Sequence, residues 1–268
     1  NLSALFAPIS SVLVSKLTLV PAIRILYINA FIVMTLKLIL LYKFSTETAV
    51  GKIRREATKS MTFLELLSGY KGAVRKIFAS RGTIFAIIIS VLVEIMSMIG
   101  VTFWQIITSR RIGVPDTLLP IFPMVKSILS ILLFFTVISR INQSKLKLPL
   151  YSGFASVIIG SLILISIPGT GVLGYILLTF SLLFEALGLS VLHTIREALV
   201  AIYADPEQRS AIMAILQTVV MLVSVPFGYI AGLLSDISKI LPFVLCIALS
   251  LLGILMTLIF YRLLRLTE

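Results

Sequence analysis

The sequence predicts an all-α protein, a polytopic bundle of transmembrane helices. Three observations carry this reading. Hydrophobic residues make up 59% of the 268 and charged residues only 13%, against roughly 45–50% and about 25% in soluble domains. The apolar residues fall in long blocks, and two of these, 148–167 and 241–261, hold no Asp, Glu, Lys, Arg or His. A block of about 18 or more such residues is long enough to cross the hydrocarbon layer, where a helix satisfies its own backbone. A soluble protein would have to bury several such helices on every side. Finally, turn-forming residues and charges collect between the blocks rather than inside them.

Eight spans follow in order: about 1–16, 22–43, 82–108, 117–139, 148–167, 171–202, 210–234 and 241–262. Thr18 and Pro21 part the first two. Gly113-Val114-Pro115-Asp116 forms a turn, and Ile167-Pro168-Gly169-Thr170-Gly171 a tight uncharged connection. Asp205-Pro206-Glu207-Gln208 is a helix start, with Asp205 placed to cap free amides and Pro206 at the first helical position. Ser238 and Pro242 flank the start of the last span. The span 171–202 is long enough that it must tilt or project beyond the bilayer. The chain opens on Asn1 within an apolar stretch and shows no signal peptide, so a fragment of a longer protein is expected.

The loops give the orientation. The segments 44–81, 140–147, 203–209 and 263–268 carry thirteen Lys and Arg, whereas 17–21, 109–116, 168–170 and 235–240 carry only Arg110, Arg111 and Lys239. Basic residues stay on the cytoplasmic side, so loop 44–81 and the C-terminus are expected there. The net charge of +12 is thereby explained by topology, and no nucleic-acid partner is expected. Within the large loop, Phe63, Leu66, Leu67, Tyr70, Val74, Ile77 and Phe78 recur at helical spacing. They predict an amphipathic helix resting in the headgroup layer.

Cys246 and His193 are each the sole residue of their type. That excludes an internal disulfide, a multi-cysteine metal site and the two-histidine motifs of membrane metalloproteases. No Gly-rich loop ending in Lys-Ser or Lys-Thr is present, which disfavours an ATP-driven pump contained in this chain. No cofactor or metal is expected.

Charges within spans are informative because each costs about 2.5–3.5 kcal/mol at a helix centre on insertion scales. Glu94, Lys126 and Glu185 each sit near the middle of a span. They are expected at similar depth around a wet cavity. On 171–202, a step of about 100° per residue puts Glu185 and Arg196 within about 20° of one face, with His193 about 80° and Glu197 about 120° round. Arg196 lies about 16 Å from Glu185 along the axis, so these two cannot pair. The stripe reads either as a water-lined path or, for Arg196 and Glu197, as structural ions at the membrane edge. His193 fits a proton relay or a plain interior polar role. Gln105 and Gln217 are candidates for substrate contact or for interhelical hydrogen bonds. Ser152, Ser156 and Gly160, and likewise Gly228 and Gly232, read as small-residue packing surfaces.

Two spans, a long basic loop opening Ser45-Thr46-Glu47-Thr48-Ala49-Val50-Gly51-Lys52, and six more spans make a recognisable order. With Arg196-Glu197-Ala198-Leu199, Ala204-Asp205-Pro206-Glu207-Gln208-Arg209 and Pro226-Phe227-Gly228-Tyr229-Ile230-Ala231-Gly232, the chain resembles the major facilitator superfamily of secondary transporters from its fifth span to its twelfth. The resemblance implies that 1–43 ends an N-terminal transmembrane half, 44–81 is the cytoplasmic linker, and 82–268 is the six-helix C-terminal half. It implies a missing N-terminal half of the same protein as partner, and a solute cavity between the halves. Arg140 stands in the segment matching the family's basic gating loop, though that loop's Gly and Asp are absent. The spans 148–167 and 241–261 would be peripheral and face lipid.

The expected function is alternating-access secondary transport of a small-molecule solute, coupled to H+ or Na+, in the cell membrane. A membrane subunit of a multi-component transporter, a membrane-embedded enzyme and a sensor are the alternatives. The sparse polar set lacks a nucleophile or paired-histidine cluster, so no enzyme activity is expected.

Overall fold

The computed structural model describes residues 12–13, 16–17, 19–46, 51–52, 56, 80–115, 118–119, 121–136, 146–203 and 209–265. Among these the protein forms seven helices and no strand. They are α1 (Leu19–Phe44), α2 (Arg81–Ile107), α3 (Ile121–Thr136), α4 (Lys147–Ser166), α5 (Val172–Tyr203), α6 (Arg209–Ile237) and α7 (Leu241–Arg265). Six are long and apolar enough to cross a membrane, and α3, with 16 residues, is shorter. The chain is a multi-pass membrane protein built as an all-helical bundle. The reading of 1–16 as a span, the amphipathic helix of the large loop, and the capping role of Asp205 and Pro206 fall outside the described residues.

The helix ends have local causes. Ser80 caps α2, its hydroxyl accepting from the Thr83 amide at 3.3 Å. The far end of α2 widens into a π-helical turn, Thr108–Ile112, which closes on Gly113. Gly113 takes φ 86°, a left-handed conformation that glycine enters without a Cβ clash, and its N–H donates to the Thr108 carbonyl at 3.1 Å. Pro21 lies in the first turn of α1 rather than before it. An early proline is tolerated there because the amide it lacks would have no intrahelical partner. Pro226 is inside α6.

Packing centres on α2 and α5. The closest association is between α4 and α5, and α5 also packs on α2 and α3; α2 touches α6 and α7, and α7 closes against α4 and α6. The α4–α5 contact is built from small residues. A Cβ on Gly188 would stand 2.7 Å from the Gly153 carbonyl oxygen, and one on Gly160 3.0 Å from the Ser181 carbonyl oxygen and the Glu185 amide. The Ser181 hydroxyl donates to the Gly160 carbonyl at 2.8 Å, joining the two backbones. Such close approach is how helices associate in lipid, where apolar burial alone gives no preference for protein over tails. The expected stripe of Ser152, Ser156 and Gly160 is therefore shifted: Ser152 is exposed, and Gly153 takes the contact position. Gly228 meets Met98 of α2, but Gly232 has no neighbour within 4 Å of a Cβ among the described residues.

The helices α2 and α5 run antiparallel. At one end the Thr83 hydroxyl donates to the Tyr203 carbonyl at 3.1 Å, and Gly82 leaves the space that the Tyr203 ring fills. Beyond the far end of α2, Arg111 donates to the Ile165 carbonyl of α4 at 2.9 Å. The Thr83–Tyr203 contact, together with Glu185 against Gly100, fixes which turn of α2 lies opposite which turn of α5. In contrast, α1 takes no part in these associations and none of the residues in its most apolar window is buried. Its surface is mostly apolar, with Arg24, Lys37 and Lys43 exposed among the apolar residues, as for a helix whose partners are lipid tails or other helices.

Candidate functional site

Three rungs join α2 to its neighbours. Glu94, Ser97 and Gly100 recur every three residues, each step turning about 60° around α2. Each meets a polar group of α5. Glu94 accepts from Arg196 Nη1 at 3.0 Å. Ser97 Oγ and His193 Nε2 are 2.9 Å apart. Gly100 has no side chain, and Glu185 Oε1 occupies the space a Cβ would need. The same Oε1 accepts from Lys126 Nζ of α3 at 2.7 Å.

The middle rung joins a hydroxyl to an imidazole, and the outer two join acidic to basic side chains. Glu185 is the most enclosed member, with 9% of its side chain exposed, and Lys126 shows 24%. An unpaired carboxylate there would carry the full penalty of desolvation; the lysine offsets it at hydrogen-bonding distance. Arg196 donates in two directions, to Glu94 and to Glu197, the latter at 2.8 Å from Nη2. Its planar fork suits this bridging better than an ammonium would. Glu94 and Glu197 are the open members, 38% and 58% exposed. The seam thus runs from an enclosed ion pair to an exposed acidic–basic–acidic cluster nearer the Arg81/Tyr203 end.

Glu94, Lys126 and Glu185 do not share one layer. Glu94 pairs with Arg196 and Lys126 with Glu185, and on α2 Glu94 is about 9 Å along the axis from Gly100, which Glu185 overlies. The antiparallel register dictates this. With Thr83 opposite Tyr203, Glu94 is brought level with Arg196 and the turn at Gly100 with Glu185.

Next to the enclosed pair, one turn along α2 and α3 respectively, Trp104 and Phe122 pack with ring centroids 5.2 Å apart. Trp104 is 4% exposed, and its indole nitrogen has no hydrogen-bond partner among the described residues. The pair walls one side of the Lys126–Glu185 contact with apolar surface.

Gln105 and Gln217 are exposed and stand outside these ion pairs. Gln105 lies eleven residues after Glu94, hence within about 20° of it on α2. Arg140 is outside the described residues. Ser97 and Gly100 were not singled out from the sequence, although their spacing from Glu94 was a usable signal. Among the described residues, no group of three His, Cys, Asp or Glu is placed to hold a metal ion.

No protein-family model, curated protein or solved structure matches the chain.

Proposed function

We propose that the chain belongs to a secondary active transporter that moves a small solute by alternating access, with ion movement coupled through the polar seam of α2, α3 and α5. The observation that carries this reading is the convergence of Glu94, Lys126, Glu185 and Arg196, each from within an apolar helix, on one continuous seam. Ions at such depth are costly unless they face water or a partner. Here each has a partner, and exposure rises along the seam from Glu185 to Glu197. A pair that can exchange partners, or release one carboxylate to a proton, a sodium ion or a cationic group, is what coupling requires. The resemblance to the major facilitator superfamily supports the same reading, with the cavity lying against a second helical half.

In this proposal the protein resides in the cell membrane, with loop 44–81 and the C-terminus in the cytoplasm, as the distribution of Lys and Arg requires. Gln105 and Gln217 would be solute contacts, and Arg140 a loop charge that helps to gate.

Counterflow by the full-length protein in proteoliposomes tests the class. A panel of sugars, organic anions, peptides and cationic drugs is loaded in turn, and uptake of the labelled counterpart is measured. Saturable exchange of at least one class is expected. Absence of exchange across the panel, in protein shown to be folded, would favour a sensor or an enzyme instead.

A further inference from the structure

A second feature lies at the Arg81/Tyr203 end of the bundle, away from the polar seam. The first turns of α2 and the last turns of α7 enclose an open cleft of about 410 Å³. Its floor is the Phe85–Phe260 pair, stacked with centroids 4.0 Å apart and planes within 1°. Ile84, Ile88, Met256 and Ile259 form the walls, and among the described residues Arg81 is the one charged residue lining it. Arg81 is exposed and forms no ion pair with a described residue.

The surroundings mark this end as a membrane–water boundary. Tyr203 and Tyr261 pack edge-on to Phe260, at 6.1 and 5.5 Å. On neighbouring α4, the Lys147 ammonium sits 6.0 Å from the Tyr151 ring. Arg262 is exposed three residues after Ile259. Tyrosines with basic residues at one level are the anchor pattern of the headgroup layer. The cleft therefore descends from that layer along the lipid-facing side of two spanning helices.

We propose that this cleft is a binding site for an anionic phospholipid, with an acyl chain laid over the Phe85–Phe260 stack and the phosphate held by Arg81. The occupant must be apolar along its length and anionic at one end. The walls supply only apolar contact, and the rim supplies a guanidinium with no ion-pair partner among the described residues, a good partner for a phosphate. Arg262 adds positive potential beside it. A zwitterionic lipid would fit the slot but would bring its own cation to a basic rim. The inference depends on the chain spanning a bilayer and is independent of whether it transports a solute.

The test uses the full-length protein in detergent, with phosphatidylglycerol and phosphatidylcholine of identical chains. Native mass spectrometry is expected to show preferential retention of phosphatidylglycerol. Arg81→Gln should weaken that retention roughly fivefold, the factor for one basic residue at an anionic surface, while phosphatidylcholine retention stays the same. Ile84→Trp, which fills the slot without changing charge, should lower retention of both. A photo-crosslinking residue at Ile259 then identifies the occupant, and a phospholipid-mass adduct is expected. Equal retention of the two lipids, an unaltered Arg81→Gln variant, or crosslinking to this chain's own 53–79 segment or to a second copy would overturn the proposal.

Discussion

At the scale of single residues, the enclosed Lys126–Glu185 pair should behave as a unit. Its members come from different helices and meet at 2.7 Å. Removing one leaves the other without compensation, a loss that reaches about 3–5 kcal/mol for fully buried pairs and is smaller where water reaches the survivor. Lys126→Met and Glu185→Gln are therefore each expected to lower thermal stability in detergent, and the double variant to recover part of the loss. A coupling energy of about 0.5–3 kcal/mol is the expected outcome of the cycle. Additive effects would mean that the pair does not form. The sequence showed that Glu94, Lys126 and Glu185 are mid-span ions but not which pair together. A helical wheel gives the angle of a side chain on its own helix and says nothing of which turn of the next helix lies opposite. That offset is set by Thr83 on the Tyr203 carbonyl and by Glu185 packed where Gly100 leaves room. It carries Glu94 to Arg196. Ser97 and Gly100 escaped notice for a related reason: their spacing from Glu94 is legible, but that His193 and Glu185 face them is set by how α5 packs on α2.

At the scale of elements, the span boundaries were legible because each falls at a physical discontinuity. Gly113 supplies a left-handed turn, and the Ile167–Gly171 link separates α4 from α5. Pro21 was misplaced because a proline is as compatible with a helix's first turn as with the gap before it. Of the small residues of α4, Gly160 and the buried Ser156 stand in the expected stripe, but Gly153 takes the place expected of Ser152. Ser152 and Gly153 are both small, and only contact with Gly188 and Leu192 of α5 selects Gly153. Two glycine substitutions separate a packed contact from an open one. Gly188→Ala would drive a Cβ into backbone atoms of α4 and is expected to cost about 1–3 kcal/mol. Gly232→Ala meets nothing within 4 Å and is expected to be neutral or stabilising by up to about 1 kcal/mol. Melting of the two variants in one detergent checks the contrast. Equal effects would contradict the α4–α5 register. The apolar outer faces of α4 and α7 carry no part of the seam, so under the proposed transport function Ile163→Leu and Leu251→Ile are expected to leave solute affinity of the full-length protein unchanged.

At the scale of the whole molecule, composition and span length made the all-helical membrane bundle legible, since the bilayer leaves few other ways to satisfy a backbone. Sidedness rests on the Lys and Arg count alone. A cysteine at Lys59 should react with an impermeant maleimide only after the membrane is opened, and labelling in intact cells would reverse the orientation. In the proposed function, a carboxylate of the seam couples ion movement to solute movement. Glutamine keeps the size and hydrogen bonding of glutamate but cannot release a proton or hold a cation as strongly. The most direct measurement compares gradient-driven uptake with counterflow in proteoliposomes, for wild type, Glu94→Gln and Glu185→Gln. One of the two variants is expected to lose gradient-driven uptake while retaining counterflow. If both folded variants keep gradient-driven uptake intact, the seam is a structural pair of ion contacts and the coupling claim is contradicted.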